Sequence, residues 1–310
     1  MHTGRAPWAW LAAGAAALLT MLAIFAAPAG RLRAASGPEV KSRGAALENE
    51  CAECHASAVA AFKLTLHGKR FRDNPRGELE LSDCASCHGS LGAHAANPDD
   101  PKVIGSLRRE RTPDAKIRSK PCLECHKTES LFSAAHSRHL KAGVACSDCH
   151  SVMRPVSDRK LLGTPDVNTL CQSCHAGIAA QMNNRSTHIA AGSGLGCTDC
   201  HNPHGDGRAA LKQTTVNDTC APCHRAQAGP FMFEHAPVAD NCLNCHTPHG
   251  APQPSLLKMN TGSLCLSCHS QAPFFHSFTG LDRFTLARSC TNCHSMIHGS
   301  NHATGSRLQR

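Results

Sequence analysis

All twenty cysteines of this 310-residue chain fall in ten C-x-x-C-H units. The units are Cys51-Cys54-His55, Cys84-Cys87-His88, Cys122-Cys125-His126, Cys146-Cys149-His150, Cys171-Cys174-His175, Cys197-Cys200-His201, Cys220-Cys223-His224, Cys242-Cys245-His246, Cys265-Cys268-His269 and Cys290-Cys293-His294. C-x-x-C-H is the attachment signature of c-type haem. Its two thiols form thioethers with the haem vinyl groups, and the adjacent histidine sits beneath the iron as proximal ligand. Zinc ribbons, a disulfide framework and a redox C-x-x-C are the rival readings. None of them requires a histidine after the second cysteine, and here histidine follows it ten times out of ten. The sequence therefore predicts ten covalent haems c and no disulfides.

Twelve further histidines lie outside the motifs, the first of them in the N-terminal segment. Nine of the others are periodic. After odd-numbered motifs one ends a helix-like piece: His67, His139, His188, His235 and His276. After even-numbered motifs one follows the motif closely: His94, His204, His249 and His298, with Met153 where the fourth motif should have its histidine. These nine histidines are predicted distal ligands. Met153 is a candidate tenth, since a thioether is a known axial ligand, or it merely fills a turn. In the latter case His136 or His302, which stand outside the repeat, supplies the nitrogen or the site is open.

The chain that positions these groups has few other resources. Aromatics make up 4% of it, and long apolar stripes of helical period are missing. First cysteines of successive motifs lie 33, 38, 24, 25, 26, 23, 22, 23 and 25 residues apart. Segments that short predict a multihaem cytochrome c fold: short α-helices and loops around a line of haems, elongated, with little or no β-sheet. The helix-like pieces are residues 56–67, 130–139 and 176–188; "NPHG" and "TPHG" read as turns.

Arg5, an uncharged run from Trp8 to Ala27 and the exit Ala27-Pro28-Ala29 read as a secretory signal over residues 1–29. A retained membrane anchor is the alternative. Residues 30–310 form the decahaem domain, divisible into pentahaem halves of about 30–190 and 191–310. The formal charge of +9 suggests an anionic partner only until the haems are counted. Twenty propionates, which ionise near pH 4, bring it to about −11 with ferrous irons. One net positive charge per ferric centre returns it to about −1. No basic cluster is interleaved with aromatics, so nucleic-acid binding is not expected.

The ten motifs, the "NPHG" and "TPHG" turns, "VNDTCAPCH" (216–224), "EHAPVADNCLNCH" (234–246) and the ending "CTNCHSMIHGSNHATGSRLQR" (290–310) resemble the periplasmic decahaem cytochromes of the MtrA/DmsE family. The resemblance covers the whole mature chain. It implies a bis-histidine wire, not an enzyme, associated with the outer membrane through a β-barrel partner. The other partners it implies are periplasmic or inner-membrane electron carriers and an extracellular multihaem cytochrome or terminal reductase. A soluble periplasmic shuttle feeding a reductase is the alternative. Met153 departs from the family's histidine and puts uniform bis-histidine ligation in question.

Overall fold

A computed structural model describes residues 38–89, 92–100, 105–128, 133–157, 160–188, 193–206, 210–269, 289–303 and 305–309. The signal segment and His276 lie outside the described residues. Within them the chain is short helices, single 3-10 turns and loops. One sheet is present, two residues per strand: β1 (Phe233–Glu234) pairs antiparallel with β2 (Gly299–Ser300).

Most helices exist because a motif needs one turn of chain to present its two thiols. The C-x-x-C turns Cys146–Cys149 and Cys197–Cys200 are single four-residue helices. In each, an aspartate inside the motif folds back to accept from the backbone N–H just before it. Asp148 takes that of Ala145 at 2.8 Å, and Asp199 that of Gly196 at 2.7 Å. Odd motifs are capped from outside. Asp166, Thr215 and Asn260, each five residues before the first cysteine, accept from the backbone N–H groups of Thr169, Asp218 and Ser263 at 2.9–3.0 Å. Each cap is worth about 1 kcal/mol.

The N-terminal end differs from the expectation of uniformly short pieces. Helix α1 (Pro38–Leu64) runs through the first motif and is broken only at His55, where φ is −117° and ψ 34°. Helix α2 (Leu66–Asp73) follows at once, capped by Thr65 and packed so closely that a Cβ on Gly68 would lie 2.0 Å from the Phe62 carbonyl oxygen. The expected helix over 176–188 stops at Met182, and the rest is a turn and bends with a single bridge at Ser186. Its counterpart near 130–139 begins outside the described residues. It continues as a 3-10 turn, Ser133–His136, and the helix Arg138–Lys141.

Buried apolar side chains are few and scattered. Ala115, Leu140 and Ala145 form a small buried cluster, while Leu64, Met232 and Ile117 stay more than 60% exposed. The best-buried large side chain is charged: Arg118, fully enclosed, grips Asp148 with both ends of its guanidinium at 2.6 and 3.1 Å. Burial, the largest single influence, would raise the Asp148 carboxyl, but the Arg118 hydrogen bond, the Ala145 N–H and the charges of Arg118 and Arg109 together outweigh it and hold the group below its usual range. This pair ties the third motif's helix (Ala115–Cys125) to the fourth motif.

Contacts between distant elements are local in a repeat sense. Each interval touches the next motif and the turn after a motif a few units ahead. Such quasi-one-dimensional connectivity is that of a solenoid, with each unit stabilised by its neighbours.

Candidate metal centres

The proximal histidines are aimed by main-chain carbonyls. His88 Nδ1 donates to Gly105 O at 3.0 Å, His150 to Lys160 O at 2.8 Å, His246 to Ser255 O at 2.8 Å and His294 to Arg307 O at 2.6 Å. A carbonyl can only accept, so the proton is on Nδ1 and the Nε2 lone pair is left for a metal. The carbonyls come from one recurring loop. His150, His201 and His246 each form an isolated antiparallel bridge with a leucine about ten residues on, Leu162, Leu211 and Leu257. Just before those leucines the chain turns through positive φ at Leu161, Ala210 and Leu256.

Opposite the proximal rings stand the predicted distal ones. Eight pairs face each other with ring centres 5.9–6.4 Å apart: His55–His94, His67–His126, His139–His175, His150–His204, His188–His224, His201–His249, His235–His269 and His246–His298. Two nitrogens each about 2 Å from one metal, with each ring centre roughly 1.1 Å behind its nitrogen, give about 6.2 Å. The spacing therefore fits one metal per pair, and is too wide for direct ring contact face to face. Each pair supplies only two nitrogens. No cluster of three His, Cys, Asp or Glu side chains that could hold a metal occurs among the described residues. The remaining ligands must come from a planar group held across the gap, and the thiols beside each proximal histidine are placed to hold it.

Burial, and next the facing histidine, lowers the pKa of His67, His204, His249 and His298. That keeps the rings in the neutral form a metal binds. Ring planes fall into two groups. His150, His201 and His246, in even motifs, lie 13–22° from their partners; His126, His175 and His224, in odd motifs, lie 60–72° from theirs. The pairs near the two ends of the chain, His55–His94 and His235–His269, are also near-parallel.

The twenty cysteines form no disulfide and lie in an unbroken succession. First cysteines meet thiol to thiol within each odd–even couple: Cys51–Cys84, Cys122–Cys146, Cys171–Cys197, Cys220–Cys242 and Cys265–Cys290. Second cysteines lie within electrostatic reach from one couple to the next: Cys87–Cys125, Cys149–Cys174, Cys200–Cys223 and Cys245–Cys268. Polar side chains three residues before an odd motif clamp the couple. Ser119, Asn168 and Asn217 accept from the backbone N–H groups of Cys146, Cys197 and Cys242 at 3.3, 2.9 and 2.8 Å.

Among the described residues no histidine ring is seen facing His88, and His276 lies outside them. Met153 is half-buried in the turn after the fourth motif, while His136 and His302 are exposed. The carbonyl anchors and the polar clamps were missed from the sequence. Of these only the clamps left a signal, the Asn in "VNTLC" and "VNDTC".

A family model for the doubled CXXCH motif matches residues 138–180, 188–229 and 235–274. The chain is also 36% identical over 275 residues to the multiheme cytochrome MtrA of Shewanella baltica strain OS185, covering 84% of this chain and 81% of that one. This chain belongs to the MtrA family of multihaem cytochromes. It is an electron-transfer protein that carries haem c covalently at its paired CXXCH motifs.

Proposed function

We propose that this chain is a ten-haem conductor carrying electrons between periplasmic carriers and the cell exterior, seated in an outer-membrane β-barrel partner. The observation that carries the reading is the succession of neighbouring cysteines, which passes through all ten motifs in sequence order without a branch. Haem attached along that succession supplies a one-electron ferric/ferrous couple at each step. The chain's own groups do the rest. Both thiols of each motif would hold a haem, and the eight facing histidine pairs would each ligate its iron from both sides. Irons ligated on both sides would leave no site for a substrate, so we read the protein as a carrier and not an enzyme.

The backbone carbonyls behind His88, His139, His150, His188, His235, His246 and His294 fix tautomer and ring azimuth. Fixed ligands keep the two oxidation states alike in geometry, which lowers the reorganisation each electron hop must drive. A barrel is part of the proposal for a physical reason. No helix among the described residues is long and apolar enough to cross a membrane, and the repeats are rich in polar loops. A sheath with a polar lumen would let such a chain span an apolar band of ~25 Å.

The test is a deletion of the barrel partner in cells that respire on an extracellular acceptor. The proposal expects the cytochrome to leave the outer-membrane fraction and extracellular reduction to be lost. Unchanged reduction in that strain would leave a soluble periplasmic shuttle instead.

A further inference from the structure

The facing pairs obey a register rule that reaches one position no pair describes. In even motifs the proximal histidine faces the residue in the turn two motifs later: His150 faces His204, His201 faces His249 and His246 faces His298. The same step from His88 lands on the turn after the fourth motif, at Met153.

The far side of that turn carries an independent mark. Interval histidines dock on each such turn through the carbonyl just before the turn's ligand residue. His139 donates to Pro203 O at 3.0 Å, His188 to Pro248 O at 2.8 Å and His235 to Ile297 O at 2.9 Å. The counterpart contact would be His67 with Val152. The first interval does reach this turn, since Arg154 Nη2 donates to Ser57 Oγ at 3.0 Å. Yet His67 Nδ1 is buried with no hydrogen-bond partner.

A change in the turn accounts for the lost contact. The residue after the ligand is glycine in the other three turns: Gly205, Gly250 and Gly299. Two of these sit where a side chain cannot. A Cβ on Gly250 would lie 2.0 Å from Gln181 O, and one on Gly299 2.2 Å from the Phe231 ring. At the fourth motif that glycine is Arg154, so the turn cannot seat as closely. Histidine and glycine are thus replaced together, by Met153 and Arg154. A thioether on three rotatable bonds adapts to the looser seat where a planar imidazole would not.

We propose that Met153 Sδ is the sixth ligand of the iron whose proximal ligand is His88, making the second haem of the file His/Met-ligated. The inference rests on the reading that all ten motifs carry haem. Thioether ligation favours the ferrous state and raises the potential relative to bis-histidine. The second haem then holds its electron more firmly than its neighbours, so a partly reduced chain stores charge one step from its N-terminal end.

The test uses purified full-length holoprotein and its M153H and M153A variants. Mass spectrometry comes first: ten haem additions in all three confirm the underlying reading, and fewer than ten would count against that reading instead. With ten present, wild type should show a weak near-infrared sulfur-to-iron band, and one haem of ten should titrate above the rest. M153H should lose the band and return that haem to the bis-histidine group; M153A should lose it and show one high-spin ferric haem. H136A should leave the band unchanged. The proposal is overturned if wild type lacks the band, or if H136A and not M153A produces the high-spin haem.

Discussion

Removing the Arg118 guanidinium probes how the protein scaffold ties one motif to the next. In Arg118→Ala two hydrogen bonds to Asp148, at 2.6 and 3.1 Å, disappear, and with them a longer one to Gly143 O at 3.4 Å. Breaking a fully buried ion pair from one side costs about 3–5 kcal/mol, because the partner charge stays behind. Here Asp148 is 24% exposed and keeps the Ala145 N–H at 2.8 Å and Arg109 at 3.6 Å. The cost should therefore fall to about 2–3 kcal/mol, or roughly a 30- to 150-fold rise in local opening. Hydrogen exchange of residues 138–157 in the holoprotein reads that opening directly.

The pH dependence has a defined sign. The folded carboxyl is held below its ordinary value, so the pair's contribution is complete above the unfolded carboxylate range near pH 4. It fades as pH falls through the lower, folded value. Arg118→Ala should weaken that fade along with the protection. A change in exchange below about threefold would refute the view that side-chain clamps, and not haem attachment alone, hold successive motifs together.

Other outcomes follow from the facing pairs. His204→Ala removes the ring 6.1 Å from His150, so one ferric haem should turn high-spin in electron paramagnetic resonance while the others are unchanged. Near-parallel and near-perpendicular ring planes split the iron orbitals differently. The wild-type ferric spectrum should therefore contain both rhombic and strongly anisotropic low-spin signals, and a single class would contradict the ring orientations.

The motifs and the periodic histidines were legible because covalent chemistry and ligation demand specific side chains at fixed spacing. Which ring faces which was not. His150 finds His204 past two intervening motifs, a consequence of how successive turns stack. The carbonyls behind His150 and His246 belong to Lys160 and Ser255, unrelated residues chosen by backbone position, so no side-chain pattern could announce them. Short helices followed from short intervals. Helix α1 escaped that argument because a motif can ride inside a helix when the break falls on its histidine, as at His55. Arg118 looked like one more cation in a chain with many, and only the placement of Asp148 beside it distinguishes it.

Anomalous scattering at the iron edge, on crystals of the full holoprotein, tests the central claim most directly. The account predicts ten iron peaks in single file, ordered as their motifs are in the sequence. Eight of them should lie between the facing histidine pairs, and the second between His88 and Met153. Irons that branch off the file, or appear out of motif order, would contradict it.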